Sequence, residues 1–178
     1  LSGPVMTRAL THLDNCYYIK SLKAVGYVCK TNTVSNTAFR GFGGPQGMLT
    51  IENILYSVSQ YLKKPIDEIR QINYYSRLNG LKTPYGQIVK NLRIDRILDE
   101  VYNLSDYKNR LTNINKFNLN QKANNLPFRK GIALMPAKFG ISFNKPSLNQ
   151  GGALVHVYSD GSIRLNHGGT EMGQGLFI

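Results

Sequence analysis

Cysteine is scarce in this chain, which carries only Cys16 and Cys29 among its 178 residues. Two cysteines are too few for a disulfide scaffold, and their spacing matches no common metal-binding motif. We therefore expect a reducing, cytoplasmic environment. The chain also lacks an apolar run long enough to cross a bilayer and lacks a secretory signal, so we expect no membrane partner.

Acidic residues are few as well, because 10 Asp and Glu stand against 22 Lys and Arg and leave a formal net charge of +12. Such an excess is one mark of a nucleic-acid-binding protein, so a basic binding module without catalytic activity is one hypothesis. The basic residues are scattered, however, and no recognition helix or RNA-binding signature accompanies them. A solvated basic surface explains the charge better, and we expect no nucleic-acid partner.

The common phosphate-binding glycine patterns are missing, since the chain has neither a Rossmann GxGxxG run nor a Walker lysine motif. It has two other glycine clusters, SNTAFRGFGGPQGM at 35–48 and HGGTEMGQG at 167–175. Glycine lets backbone N–H groups approach a ligand closely, so the two loops predict a site for an anionic cofactor. The alternative is two tight turns. A plain turn has no need of Phe39, Arg40 and Phe42, whereas for the second loop both interpretations stay open.

The order of predicted elements favours an α+β fold: a strand, then helices, then a β-hairpin. The segment 16–31 is rich in aromatic and β-branched residues and predicts the first strand, after a helical turn or two at 5–14. The segments 131–143 and 151–169 predict later strands, and Asp160-Gly161 predicts a hairpin turn.

Four helices are predicted between the glycine loops from apolar residues that recur at three- and four-residue spacing. Proline suits the first turn of a helix because it has no N–H to leave unpaired, so Pro45 and Pro65 each open one. A third helix is predicted at 94–104 and a fourth from about Tyr107. The asparagine-rich stretch 113–125 predicts a loop.

These elements divide the chain into three parts of one partial domain, 1–178. We expect an extended segment with the first glycine loop (1–45), a mainly helical part (46–128), and a mainly strand part with the second glycine loop (129–178).

The stretch TNTVSNTAFRGFGGPQGM at 31–48 closely resembles the molybdenum-cofactor domain of the xanthine dehydrogenases and aldehyde oxidases. KFGISF at 138–143 and HGGTEMGQGL at 167–176 resemble the same family in the same order. LNQGGALVHVYSDGS and KTPYGQ agree as well, and the weakest fit lies at about 104–128. The resemblance implies an internal section of a much larger molybdenum-binding subunit or domain.

The resemblance implies an oxidoreductase of purine metabolism whose molybdenum is held by a molybdopterin dithiolene and by no protein ligand from this chain. In this family, water supplies the oxygen inserted into an electron-poor carbon, and electrons leave through two 2Fe–2S clusters and FAD. The implied activity is oxidation of hypoxanthine and xanthine to urate, in a dimer that includes iron–sulfur and FAD domains or subunits. An aldehyde oxidase or another hydroxylase of N-heterocycles is the alternative. The segment with the catalytic glutamate is not in this sequence, so the chain alone is predicted to be inactive.

The resemblance also implies site residues. Phe42 and Phe143 match the two phenylalanines that line the substrate channel, where stacking and edge-on contacts hold a flat heterocycle. Arg8 matches the arginine that faces the purine in xanthine dehydrogenases and is absent from aldehyde oxidases; its guanidinium would stabilise negative charge that grows on the ring. Asn144 stands where vertebrate enzymes carry threonine. Without the resemblance, Phe143 reads as a strand core residue and Arg8 as a surface arginine. The implied cofactor-binding residues are Ala38, Phe39, Arg40, Gly41, Met172, Gly173 and Gln174.

Overall fold

The computed structural model describes residues 2–34, 36–176 and 178, so Ser35 of the first glycine stretch lies outside the described residues. The described part contains five α-helices, one short 3-10 helix and a two-stranded sheet, which confirms the α+β class. In chain order the elements are α1 (Ser2–Thr11), α2 (Gly44–Leu62), α3 (Ile66–Asn73), α4 (Ile94–Leu104), α5 (Tyr107–Ala123), the 3-10 helix (Pro146–Leu148), β1 (Ala153–Val157) and β2 (Ile163–His167).

Helices α2 to α5 begin where the sequence predicts them, whereas α1 spans Ser2–Thr11 rather than the predicted 5–14. Pro45 lies in the first turn of α2, and Pro65 directly precedes α3. The prediction of a loop over 113–125 was wrong, because α5 continues to Ala123. No glycine or proline interrupts the sequence until Pro127, and the Lys, Leu, Gln and Ala residues between the asparagines are strong helix formers. The Asn124 amide also donates to the Asn120 carbonyl, 2.9 Å away, and closes the helix end.

The hairpin prediction is confirmed. β1 and β2 pair antiparallel in a register that sets Val157 opposite Ile163. In the connecting turn the Tyr158 N–H donates to the Ser162 carbonyl at 2.9 Å, and Gly161 adopts φ 83°, which favours glycine.

Two predicted strands do not form in the described residues, at 16–31 and at 131–143. The first has only an isolated bridge between Tyr17 and Tyr74. A strand needs a neighbouring backbone to pair with, and in 131–143 side chains take that place. Asn15 is one such side chain, since its amide donates to the Pro136 carbonyl and accepts from the Lys138 N–H, both at 3.1 Å.

The core lies between α2, α3, α4 and the segment that follows α1. Its members are buried and pack together: Cys16, Tyr17, Ile51, Leu55, Ile69, Tyr74 and Leu98. Arg70 on α3 is buried beside this cluster and is only 8% exposed. Its guanidinium pairs with Glu52 of α2 at 2.8 Å and with Asp67 of its own helix at 3.1 Å. No helix in the described segments is long and apolar enough to cross a membrane.

Helices α1 and α2 cross so closely that two glycines are required at the contact. A Cβ on Gly43 would lie 2.0 Å from the Val5 carbonyl oxygen, and one on Gly47 would lie 2.2 Å from the Ala9 carbonyl oxygen. Both distances are far below van der Waals contact with a backbone atom. Part of the first glycine cluster therefore serves helix packing, which the cofactor interpretation of the sequence did not include.

Replacing Gly47 with alanine should destabilise this crossing by about 1–3 kcal/mol, because the two backbones must separate to admit a methyl group. The loss is measurable as faster hydrogen exchange of α1 and α2 amides in the full-length protein. Gly3→Ala is the matched control: it lies in α1 with no atom within 4 Å of its added Cβ. This control should leave the exchange rates unchanged or lower them. Equal rates in the two variants would contradict the packing role of Gly47.

Candidate functional site

A cavity of about 510 Å³ lies between α1, the first glycine loop and the segment after residue 142. Its size and largely apolar lining are typical of small-molecule sites. The lining residues are Gly3, Pro4, Thr7, Arg8, Phe42, Phe143, Asn144, Lys145 and Leu148. All four candidate substrate-binding residues are among them, although they come from three separate stretches of the chain.

Phe42 is held in a strained loop that directs its ring to this cavity. Its φ of 53° lies in the left-handed region, between Gly41 at 93° and Gly43 at 103°. The Phe42 N–H donates to the Phe39 carbonyl at 2.7 Å, which tightens the turn. Non-glycine residues in this conformation are uncommon and cluster at functional sites.

Phe143 meets Phe42 edge-on, with ring centroids 5.7 Å apart and planes inclined by 62°. The Asn149 side chain holds the Phe143 backbone on both sides, accepting its N–H at 2.6 Å and donating to its carbonyl at 2.7 Å. The ring thus borders a cavity rather than filling a strand core. Asn149 was not predicted from sequence, because no nearby pattern indicates that its side chain binds the backbone groups of Phe143.

Arg8 is buried and only 7% exposed, so the surface interpretation is wrong. Its Nη1 donates to the Gly140 carbonyl and its Nη2 to the Ser142 carbonyl. Its guanidinium also lies 5.4 Å from the centre of the Phe139 ring. Arginine has five N–H donors, so these bonds leave donors for a ligand in the cavity that Arg8 lines. Among the described residues no carboxylate forms an ion pair with Arg8.

His12 lies one helical turn beyond Arg8 and was missed in the sequence. Its Nδ1 is 2.8 Å from the Arg8 carbonyl, and its Nε2 accepts the Gly140 N–H at 2.8 Å. A carbonyl only accepts and an N–H only donates, so the ring is neutral with its proton on Nδ1. Burial lowers the pKa of His12, and the charges of Arg8 and Lys138 lower it further. The four-residue spacing from Arg8 is the signal that could have identified it.

Asn144 is the most exposed of the four candidate substrate residues. Its amide lies 3.3 Å from the Thr11 hydroxyl, which ties it loosely to α1.

The two glycine loops lie next to each other at the surface. A Cβ on Gly173 would lie 2.9 Å from Nη1 of Arg40, so the guanidinium rests directly on that glycine. The neighbouring Phe39 and Met172 are 84% and 58% exposed. The Arg40 guanidinium therefore lies between the two loops, beside the exposed Phe39 and Met172 and the half-buried Ala38 and Gly41.

The second loop forms a nest of N–H groups around a carboxylate. Glu171 accepts the backbone N–H groups of Gly173, Gly175 and Leu176. Gln174 folds back into the same loop: its Oε1 accepts the Met172 N–H at 2.6 Å, and its Nε2 donates to the Thr170 carbonyl at 2.7 Å. The Glu171 carboxylate occupies these N–H groups, so an anionic cofactor would bind them only after that side chain moves away. The Arg40 guanidinium beside the loop supplies positive charge that fits such a group.

The cavity lining offers two aromatic rings, the cations Arg8 and Lys145 and the Asn144 amide for recognition of a ligand. Its described lining contains no carboxylate and no histidine. Within 2–34, 36–176 and 178, no group of three or more His, Cys, Asp or Glu residues is placed to hold a metal ion. Burial raises the pKa of the Cys16 thiol to about 12, so this cysteine stays protonated at neutral pH.

Comparison with protein families gives two matches that together cover most of the chain. A family model described as a molybdopterin cofactor-binding domain matches residues 1–74. A second model of the same description matches residues 100–178.

Curated relatives align with 99% of the chain. Xanthine dehydrogenase/oxidase of Felis catus is 48% identical over 176 residues, which are 13% of its own length. Nicotinate hydroxylase hnxS of Emericella nidulans is 48% identical over 179 residues, 13% of its length. Xanthine dehydrogenase of the same organism is 44% identical over 176 residues, 12% of its length. The chain thus spans about one eighth of these relatives.

Proposed function

The chain belongs to the molybdopterin cofactor-binding family, and from that membership we propose that it is a section of a molybdenum hydroxylase that oxidises hypoxanthine and xanthine to urate. The observation that carries the purine assignment is the meeting of Arg8, Phe42 and Phe143 in one cavity. The edge-on ring pair offers a face and an edge to a flat heterocycle. The guanidinium, with donors to spare, suits an electron-rich carbonyl on that ring.

The residues of the two glycine loops are proposed to hold the cofactor. Arg40 supplies positive charge, and the backbone at Ala38, Phe39, Gly41 and Met172 supplies close approach. The N–H groups of Gly173 to Leu176 would bind the cofactor once the Glu171 carboxylate moves away. Gln174 supplies an amide that both donates and accepts. When bound, the molybdenum cofactor supplies the redox centre through which water-derived oxygen reaches the substrate.

Arg8 is proposed to act on the purine in the transition state. Negative charge grows on the ring as oxygen is added, and a buried guanidinium stabilises that charge more than it stabilises the neutral ground state. The catalytic base belongs to another segment of the protein, as do two 2Fe–2S clusters and FAD. We propose a cytoplasmic dimer as the complete enzyme.

A nicotinate-type hydroxylase is the second candidate, because the nicotinate hydroxylase relative is as similar as the vertebrate enzymes. Arg8, which has no carboxylate partner among the described residues, would then pair with the substrate carboxylate.

Steady-state kinetics of the full-length protein separate these candidates. We expect stoichiometric molybdenum, urate as product, and a kcat/KM for xanthine at least about tenfold above those for nicotinate and for a simple aldehyde, a difference of roughly 1.4 kcal/mol in transition-state binding. A preference for nicotinate would replace the first proposal by the second, and a preference for aldehydes would exclude both. The 178-residue chain alone should bind no stoichiometric molybdenum and turn over no substrate.

A further inference from the structure

We propose that His12 is a positioning residue for the substrate cavity: as a neutral imidazole it fixes the backbone at Gly140 and thereby sets the Arg8 guanidinium and the Phe143 ring. The inference rests on the proposed function only in treating this cavity as the substrate site.

Three hydrogen bonds clamp the segment from Gly140 to Ser142 onto one face of α1. His12 accepts the Gly140 N–H at 2.8 Å, while Arg8 donates to the Gly140 and Ser142 carbonyls. Gly140 is therefore held at both of its polar backbone groups, by two side chains one helical turn apart. The Phe139 ring completes the clamp, since its centre lies 4.9 Å from the His12 ring and 5.4 Å from Arg8.

The clamp determines the position of the Phe143 backbone. Ser142 adopts φ 71° in the left-handed region, so the chain turns sharply just before the phenylalanine. Its carbonyl is fixed by Arg8 on one side of that turn, and Asn149 fixes Phe143 on the other. If Gly140 rotates free of His12, the Arg8 guanidinium loses the alignment of its two acceptors, and the Phe143 ring moves relative to Phe42.

Only the neutral ring with its proton on Nδ1 makes both bonds of His12. The Nδ1–H group donates a hydrogen bond to the Arg8 carbonyl, and the lone pair on Nε2 accepts one from the Gly140 N–H. Protonation of Nε2 would place its new N–H donor against the Gly140 N–H donor, so that bond would be lost. It would also add a positive charge near Arg8 and Lys138, which the Asp14 carboxylate offsets only in part.

Acid should therefore weaken the clamp. Burial holds the pKa of His12 below its ordinary value in the folded protein, so the unfolded state binds more protons on acidification. The contribution of His12 to stability is complete above the unfolded pKa of about 6.5 and is lost as the pH falls through the folded pKa.

The test compares His12→Leu with His12→Gln in the full-length enzyme, because glutamine keeps an acceptor for Gly140 but does not titrate. Kinetics with xanthine, normalised to bound molybdenum, would be followed between about pH 5 and 8, together with hydrogen exchange of a peptide covering 138–143. His156→Gln on the exposed β1 strand is the matched control and should behave as wild type.

We expect His12→Leu to lower kcat/KM about tenfold and to speed exchange at Gly140 by a similar factor, the effect of losing roughly one buried hydrogen bond. His12→Gln should stay within about threefold of wild type and lose the wild-type fall in kcat/KM on acidification. Unchanged exchange in His12→Leu, or no advantage of glutamine over leucine, overturns the proposal. Should wild type fail to oxidise xanthine, the proposed function fails, while the exchange experiment and kinetics with the preferred heterocycle still test His12.

Discussion

Replacing Arg8 with methionine in the full-length protein should lower kcat/KM for xanthine by about 100- to 1,000-fold, the usual loss when one preorganised charge-stabilising donor is removed from an active site. Methionine is long and apolar enough to fill most of the buried space, but it has no donor for the charge that grows on the purine. The fall should appear in kcat as well as in KM, because the interaction strengthens in the transition state. Initial-rate measurements of urate formation check this.

A small aldehyde lacks the purine ring on which Arg8 is proposed to stabilise charge. Its oxidation by the same variant should therefore fall less than about tenfold, as expected from lost packing and hydrogen bonds alone. That activity also shows that cofactor and fold survive the loss of two bonds to Gly140 and Ser142. Arg8→Lys keeps the charge but cannot reach both carbonyls, and should fall between wild type and Arg8→Met. Arg164→Met on the exposed β2 strand is the matched control. Equal losses for purine and aldehyde would leave Arg8 with a structural role alone.

The helices were predictable because their signals are local. Pro45 and Pro65 stop or start a helix by their own covalent geometry, and apolar spacing within one segment selects its buried face. The loop predicted at 113–125 is helical as far as Ala123, because asparagine has only a modest helix penalty and the residues between the asparagines are helix formers.

The predictions of strands at 16–31 and 131–143 were wrong because strand formation depends on contacts between distant parts of the chain. Aromatic and β-branched composition shows that a segment can extend, but a strand exists only where a second backbone pairs with it. In 131–143 the polar backbone groups are satisfied by side chains of Arg8, His12 and Asn15, which lie more than a hundred residues away in sequence. No local pattern encodes such pairings.

The candidate site shows the same division. Phe42 and Phe143 were predicted from motifs and lie in contact, although their role in substrate binding stays a prediction. Asn149 and Glu171 bind backbone N–H groups within their own loops, and no sequence pattern predicts those hydrogen bonds. Gly43 and Gly47 were interpreted as part of a cofactor cradle, whereas the α1–α2 contact accounts for both.

Breaking the ion pairs around Arg70 should give a large loss of stability. Arg70→Met leaves Glu52 and Asp67 without their cation, although Tyr17 and Tyr107 still donate to them. Breaking a buried pair by removing one partner typically costs 3–5 kcal/mol. Hydrogen exchange of α2 and α3 amides in the full-length protein measures this loss. We expect exchange to speed up by about two to three and a half orders of magnitude, at roughly 1.4 kcal/mol per tenfold.

Two further variants separate charge burial from simple loss of an ion pair. Arg96→Met removes the pair with Glu100, whose side chains are 69% and 62% exposed, and should change exchange by less than a factor of about five, since exposed pairs contribute at most about 1 kcal/mol. Adding Glu52→Gln to Arg70→Met should recover part of the lost stability, because the uncompensated buried carboxylate then becomes neutral. A double variant that exchanges faster than Arg70→Met alone would show that an uncompensated Glu52 charge is not the source of the lost stability.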